Sequence, residues 1–178
     1  MNYIKKIFDL VQTEVLFENM HFFSYLFVCF FIPFVLGHPQ WLVGSLVNCA
    51  LILGALNLKF EKVLPVIMMP SIGVLSAGLL FGTYTMYLLY LIPFIWVGNG
   101  ILVFFMKYYN LHKNRNYFLS LTLSSTFKTI FLFFSVFILV KLAILPTPFL
   151  VSFGMFQLYT AMIGGSLAFG VQKLIKSF

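Results

Sequence analysis

Residues 21–37 read HFFSYLFVCFFIPFVLG, a run that no charged side chain interrupts. A strand of a membrane barrel alternates apolar and polar positions over about ten residues. This run is apolar without alternation, so it reads as a helix that satisfies its own backbone hydrogen bonds inside lipid. The rest of the chain agrees. Of 178 residues, 62% are hydrophobic and 8% charged, against roughly 25% charged in a typical soluble domain. A single domain of this length has too little interior to hide that much apolar surface, so the surplus faces lipid.

Working outward, the apolar runs repeat. After the turn Gly37-His38-Pro39-Gln40, a second span covers about 41–58 (WLVGSLVNCALILGALNL), and the charged link Lys59-Phe60-Glu61-Lys62 follows. Span three covers about 63–81 and carries Pro65 and Pro70, where a break or kink is expected because proline frees a helical carbonyl. A tight turn near Gly82-Thr83 leads to span four, about 84–106, loosened by Pro93 and Gly98-Asn99-Gly100. The polar loop 107–116 (KYYNLHKNRN), span five at about 117–140, the turn Lys141 with Pro146-Thr147-Pro148, and span six at about 149–171 complete the chain. The fold expected is an all-α integral membrane protein, one transmembrane domain over 1–178 built as a six-helix bundle.

Residues 1–19 differ from the spans. Ile4, Ile7, Phe8, Val11, Val15 and Leu16 recur at helical spacing, with Lys5, Lys6, Asp9, Gln12, Glu14 and Glu18 among them. This is the pattern of an amphipathic helix lying on the membrane surface before the first span. The first long apolar run starts near His21 and has no small-residue cleavage site after it, so no removable signal peptide is expected.

Charge gives the orientation. With both termini inside, the inner segments hold Lys5, Lys6, Lys59, Lys62, Lys107, Lys113, Arg115, Lys173 and Lys176, and the outer ones hold only Lys141. Nine against one follows the positive-inside rule. Merging spans three and four would move the basic 107–116 loop outside, which excludes a five-span reading. In this light the net charge of +7 reports topology rather than nucleic-acid binding. Low Arg relative to Lys, with many Phe, Ile and Asn, points to an AT-rich bacterial genome, so the expected location is the bacterial plasma membrane, with lipid around a multi-pass protein.

Lys128 lies within span five, away from both ends, and no span contains an acidic residue. An ionisable group at that depth is expensive and is a functional candidate by default. Three outcomes are open: an anionic ligand, neutralisation by desolvation, or snorkelling to an interface. Asn48, Asn99 and Gln157 fall at similar depth, and Ser124, Ser125, Thr126 and Thr129 surround Lys128 in sequence. Each alone reads as an interhelical hydrogen bond; clustered with an unpaired lysine they outline a small polar pocket. Tyr84, Tyr87, Tyr90 and Trp96 run down span four; an interfacial aromatic belt explains Tyr84 and Tyr87, and Trp96 lies deeper. Ala161/Gly165 and Ser166/Gly170 are small-xxx-small pairs that permit close helix approach, inside the bundle or against a partner.

Other chemistries find no foothold. The chain has no P-loop pattern, and His21, His38 and His112 at span ends form no metal constellation with Cys or carboxylates. Cys29 and Cys49 lie in apolar spans as inert thiols rather than a disulfide. No nucleophile and base can be placed in one pocket, so an enzyme is not expected, and no cofactor is called for.

The stretch Pro70-Ser71-Ile72-Gly73, then Gly78-Leu79-Leu80-Phe81-Gly82, then Tyr87-Leu88-Leu89-Tyr90-Leu91-Ile92-Pro93-Phe94-Ile95-Trp96-Val97-Gly98-Asn99 resembles the substrate-binding S components of energy-coupling factor (ECF) transporters. The glycine-rich last span with Gln157 and Gly164-Gly165 is similar to that family too. The resemblance implies a high-affinity capture subunit for a vitamin-like molecule or a metal ion, working with a transmembrane coupling protein and two cytoplasmic ATPases. On that reading Asn48, Asn99, Lys128 and Gln157 are the polar groups of the pocket, and Tyr87 and Trp96 its stacking walls. The alternative, from a different class, is a non-catalytic assembly or scaffold subunit of a larger membrane complex.

Overall fold

A computed structural model describes residues 2–78, 82–113 and 115–175, with the side chains of all of these except 2–11 and Thr83. The described residues are helical, joined by short turns: α1 (Asn2–Val35), α2 (Gln40–Asn57), α3 (Phe60–Ala77), a 3-10 helix at Gly82–Tyr87, α4 (Leu88–Lys107) running into a π-helical turn at Tyr108–His112, α5 (Tyr117–Lys141), α6 (Phe149–Phe153) and α7 (Met155–Ile175). Among the described residues six stretches are long and apolar enough to cross a membrane: Gln12–Val35, Gln40–Asn57, Phe60–Ala77, Tyr84–His112, Tyr117–Lys141 and Phe149–Ile175. The chain is a multi-pass, all-helical membrane protein. Large apolar side chains such as Phe23, Phe27, Phe134, Ile138 and Leu174 point outward from the bundle, the arrangement that a lipid solvent permits and water does not.

Short connections make successive spans antiparallel. The end at which α2 gives way to α3 is called the base here, and the end at which α1 gives way to α2 the mouth. At the base, Glu18 on α1 pairs with Lys62 at 3.2 Å and accepts from the Lys59 backbone N–H at 3.0 Å, while Lys62 Nζ donates to Asn19 Oδ1 at 2.8 Å. Lys107 Nζ donates to the carbonyls of Ala55 and Leu58, placing a cation on the orphan acceptors at the C-terminus of α2. Tyr117 Oη donates to the Gly165 carbonyl at 2.7 Å and ties α5 to α7.

Three features depart from the sequence reading. No turn sets 1–19 apart from the first span: the helix is continuous through residues 19–21, where there is neither Gly nor Pro to break it. Gln12–Val35, the apolar stretch of α1 among the described side chains, includes Glu18, whose ion pair with Lys62 marks the base. The contacts of Glu18 and Asn19 fix where α1 passes the base, so its first turns extend roughly 24 Å further. The side chains of residues 2–11, on which half of the amphipathic pattern rests, lie outside the described residues, as do Leu79-Leu80-Phe81 of the resemblance motif and Lys176 of the charge count.

Secondly, neither Pro65 and Pro70 in α3 nor Pro93 and Gly98-Asn99-Gly100 in α4 interrupts its helix. Pro70 leaves the Val66 carbonyl without a helical N–H. One residue on, the Ile67 carbonyl accepts from Asn99 Nδ2 of α4 at 3.3 Å, so a neighbouring helix supplies a donor where the ladder is weakest. Thirdly, the sixth span is broken at Gly154, between α6 and α7. A Cβ there would lie 2.6 Å from the Leu150 carbonyl oxygen, so only glycine fits the break. α3 ends in Gly78, left-handed at φ 66°, a conformation that costs glycine little.

Packing is most extensive between α2 and α7. A Cβ on Gly164 would collide with the Ser45 carbonyl oxygen and stand 2.8 Å from Cys49 N, while Gly44 faces Thr160. Ala161, Gly164, Gly165 and Ala168 are all buried, Gly165 against Leu121 of α5, whereas Ser166 and Gly170 face outward. The first small-residue pair thus serves internal packing, as close backbone approach requires.

Candidate functional site

Two apolar clusters fill the bundle. One occupies mainly the base half and includes Cys29, Leu51, Ile52, Val63, Val66, Leu102 and Met106. The other joins the mouth-side halves of α3, α4 and α5 to α6 through Val74, Leu91, Leu132, Val136 and Phe149. A cavity lies where they meet, walled by Val43 and Val47 of the first and by Val74, Leu88, Leu132 and Phe153 of the second. Every lining residue comes from the mouth-side half of its span or from the span's midpoint. Partly exposed Gln40 and Ser152 stand nearest the mouth, and Lys128 and Asn48 stand deepest. The space holds about 100 Å³ for water-sized occupants, room for several waters or a small solute.

The floor is a hydrogen-bonded chain across three helices. Lys128 Nζ on α5 donates to Asn48 Oδ1 on α2 at 2.7 Å, and Asn48 Nδ2 donates to Thr160 Oγ1 on α7 at 3.2 Å. Thr160 in turn donates to the Gln157 carbonyl at 3.3 Å. Lys128 is 2% exposed and Asn48 and Thr160 are equally deep. Snorkelling is excluded by this geometry: the amine turns inward to an amide oxygen, in the middle of a helix whose ends lie about 16 and 20 Å away. Opposite, Asn99 and Ser71 line the wall. Gln157 lies above the floor, its side-chain amide reaching the Ser152 carbonyl at 3.5 Å.

The structure brings Asn48, Asn99, Lys128 and Gln157 to this one cavity, and it does not bring Tyr87 or Trp96 there. Tyr87 sits on the surface at the end of the 3-10 helix, edge-on to Phe149 with ring centroids 6.2 Å apart. Trp96 stands behind the wall: its indole N–H donates to Ser71 Oγ at 2.8 Å, which itself donates to the Met68 carbonyl. Trp96 therefore orients a lining residue rather than offering a stacking face. Of the hydroxyls near Lys128 in sequence, Thr126 faces outward and Ser124 returns to the Leu121 carbonyl. Ser125 Oγ and Thr129 Oγ1 are buried without a hydrogen-bond partner, and neither lines the cavity.

Sequence reasoning passed over Ser71 and Thr160. Thr160 had a usable signal, since it lies three residues after Gln157 and so on the same helix face. Phe153 and Phe156 enter the lining because the chain breaks at Gly154, which redirects the residues on either side of it.

The lining offers amides, hydroxyls and one amine, with no carboxylate, imidazole or thiol. Among the described residues no three His, Cys, Asp or Glu side chains converge anywhere. Such a set can donate and accept hydrogen bonds, and its one amine is positively charged when protonated. No protein family, curated protein or solved structure matches the chain.

Proposed function

We propose that the protein is a substrate-capture subunit, holding a small solute in the cavity above Lys128 and Asn48 while partner subunits supply the energy for uptake. The single observation that supports this most is the depth of the polar floor. Asn48, Asn99, Lys128 and Thr160 gather at mid-span under a cavity that reaches toward the mouth. Polar groups placed merely to pin helices need no cavity beside them, whereas ligand sites combine an apolar wall with a few convergent polar groups.

The ECF resemblance supplies the rest of the reading. The mouth faces outward and the base, with Lys59, Lys62, Lys107, Lys113, Arg115 and Lys173, faces the cytoplasm of a bacterial cell. The first turns of α1, amphipathic in sequence, reach into the cytoplasmic headgroup region. A transmembrane coupling protein with two ATPases drives release. Between the solute classes the resemblance allows, the chemistry of the lining favours an organic molecule, because a buried ammonium beside the site repels a metal cation and the usual metal donors are missing from the lining.

The test is the thermal stability of the purified protein in mild detergent against a library of water-soluble metabolites. A captured solute raises the unfolding temperature, since saturation at a hundredfold above Kd adds about 2.7 kcal/mol. A library in which no compound shifts the transition contradicts the reading.

A further inference from the structure

Resting on that reading, we infer that the captured solute is an organic anion whose acidic group sits against Lys128. The inference starts from charge. The amine lies at the deep end of the cavity, too far from either end of α5 for its four methylenes to carry it to a membrane interface. No carboxylate lines the cavity, and among the described residues the acidic side chains Glu14, Glu18 and Glu61 all belong to the base half or beyond it. The one hydrogen bond that Lys128 makes goes to a neutral acceptor, Asn48 Oδ1, while an ammonium carries three donors.

Several neighbouring donors are already engaged. Asn48 Nδ2 is engaged by Thr160, Ser71 Oγ by Trp96 and Met68, and Asn99 Nδ2 by the Ile67 carbonyl. Around the Lys128 amine, whose single hydrogen bond goes to Asn48, the unmet demand is for an acceptor, and for negative charge. A carboxylate or comparable acidic group supplies both, in a setting where an unpaired charge is costly and a paired, hydrogen-bonded one is not. The apolar walls suit the remainder of such a molecule. A neutral or cationic solute would leave the ammonium as it stands.

The experiment measures thermal shifts of wild type, Lys128→Met and Lys128→Arg with matched probes, benzoate against benzamide and nicotinate against nicotinamide, alongside a metabolite library sorted by charge. Anions are expected to stabilise the wild type and their neutral partners not to. Lys128→Met is expected to weaken anion binding on the order of ten- to hundredfold, and Lys128→Arg to retain part of it. Stabilisation by neutral or cationic compounds instead, or anion binding that survives Lys128→Met, overturns the inference and leaves the capture reading standing. No stabiliser of any class overturns both. Should Lys128→Met fail to fold, the matched pairs in the wild type decide the question.

Discussion

Lys128 Nζ and Asn48 Oδ1 lie 2.7 Å apart, joining two spans that are eighty positions apart in the chain. This contact links α5 to α2 at mid-depth, and Thr160 extends the link to α7. Replacing Asn48 by Leu strands the ammonium, and the expected loss of stability is about 1.5–3 kcal/mol. In a Lys128→Met background the same substitution should cost well under half as much, because nothing charged is left behind. A double-mutant cycle of detergent unfolding measures the coupling; additive costs would show that the two side chains do not depend on each other.

The seam between α2 and α7 makes a sharper steric forecast. At Gly164 even a methyl group meets the backbone of α2, at the Ser45 carbonyl and Cys49 N. At Gly170, one and a half turns on, nothing stands within 4 Å. Gly164→Ala should therefore destabilise by about 1–3 kcal/mol, and Gly170→Ala should be neutral or slightly stabilising, as alanine is the better helix former. Thermal unfolding of the two variants side by side separates them.

Lys107 should matter for α2 rather than for α4, on which it sits. It reaches across to the Ala55 and Leu58 carbonyls. Lys107→Met keeps the stem and removes the cation and its donors, with an expected cost of about 1 kcal/mol. Hydrogen exchange should show the added fraying in the last turn of α2, with α4 little changed.

Orientation can be read with single cysteines. The native thiols make a quiet background, since Cys29 is fully buried and Cys49 half-buried. Lys113→Cys and Thr147→Cys, both at exposed positions at opposite ends of the bundle, should divide cleanly. A membrane-impermeant maleimide added to intact cells is expected to label position 147 and to reach position 113 only after lysis. The reverse pattern would invert the proposed orientation.

What the sequence made legible, and what it did not, follows from the physics of each feature. The spans could be read because lipid demands long uninterrupted apolar runs, but the third, read to about residue 81, ends at Ala77, where Gly78 turns left-handed. The depth of Lys128, Asn48, Asn99 and Gln157 was also legible, since depth is only position along a helix. Their convergence was not: which way a helix rotates depends on the packing of its neighbours, here on Gly164 pressing against α2 and Gly98 against Leu132. The break at Gly154 was hidden for a related reason. Glycine is common in membrane helices, and only the crowding by Leu150 marks this one as a break. Trp96 could be placed at depth, yet its role behind Ser71 needed the rotation of α4. The N-terminal amphipathic pattern suggested a separate element, but periodicity alone carries no signal for where a helix stops, and no breaker stands between residues 12 and 32.

The central claim is that the cavity above Lys128 holds a small solute, and native mass spectrometry of the protein purified in mild detergent tests it most directly. Wild type, incubated with any compound that stabilises it, should carry one molecule per chain. Val74→Trp, which builds bulk into the cavity wall without touching Lys128 or Asn48, should carry none. A wild-type protein that binds no small molecule, or a blocked variant that binds as well as wild type, would contradict the account.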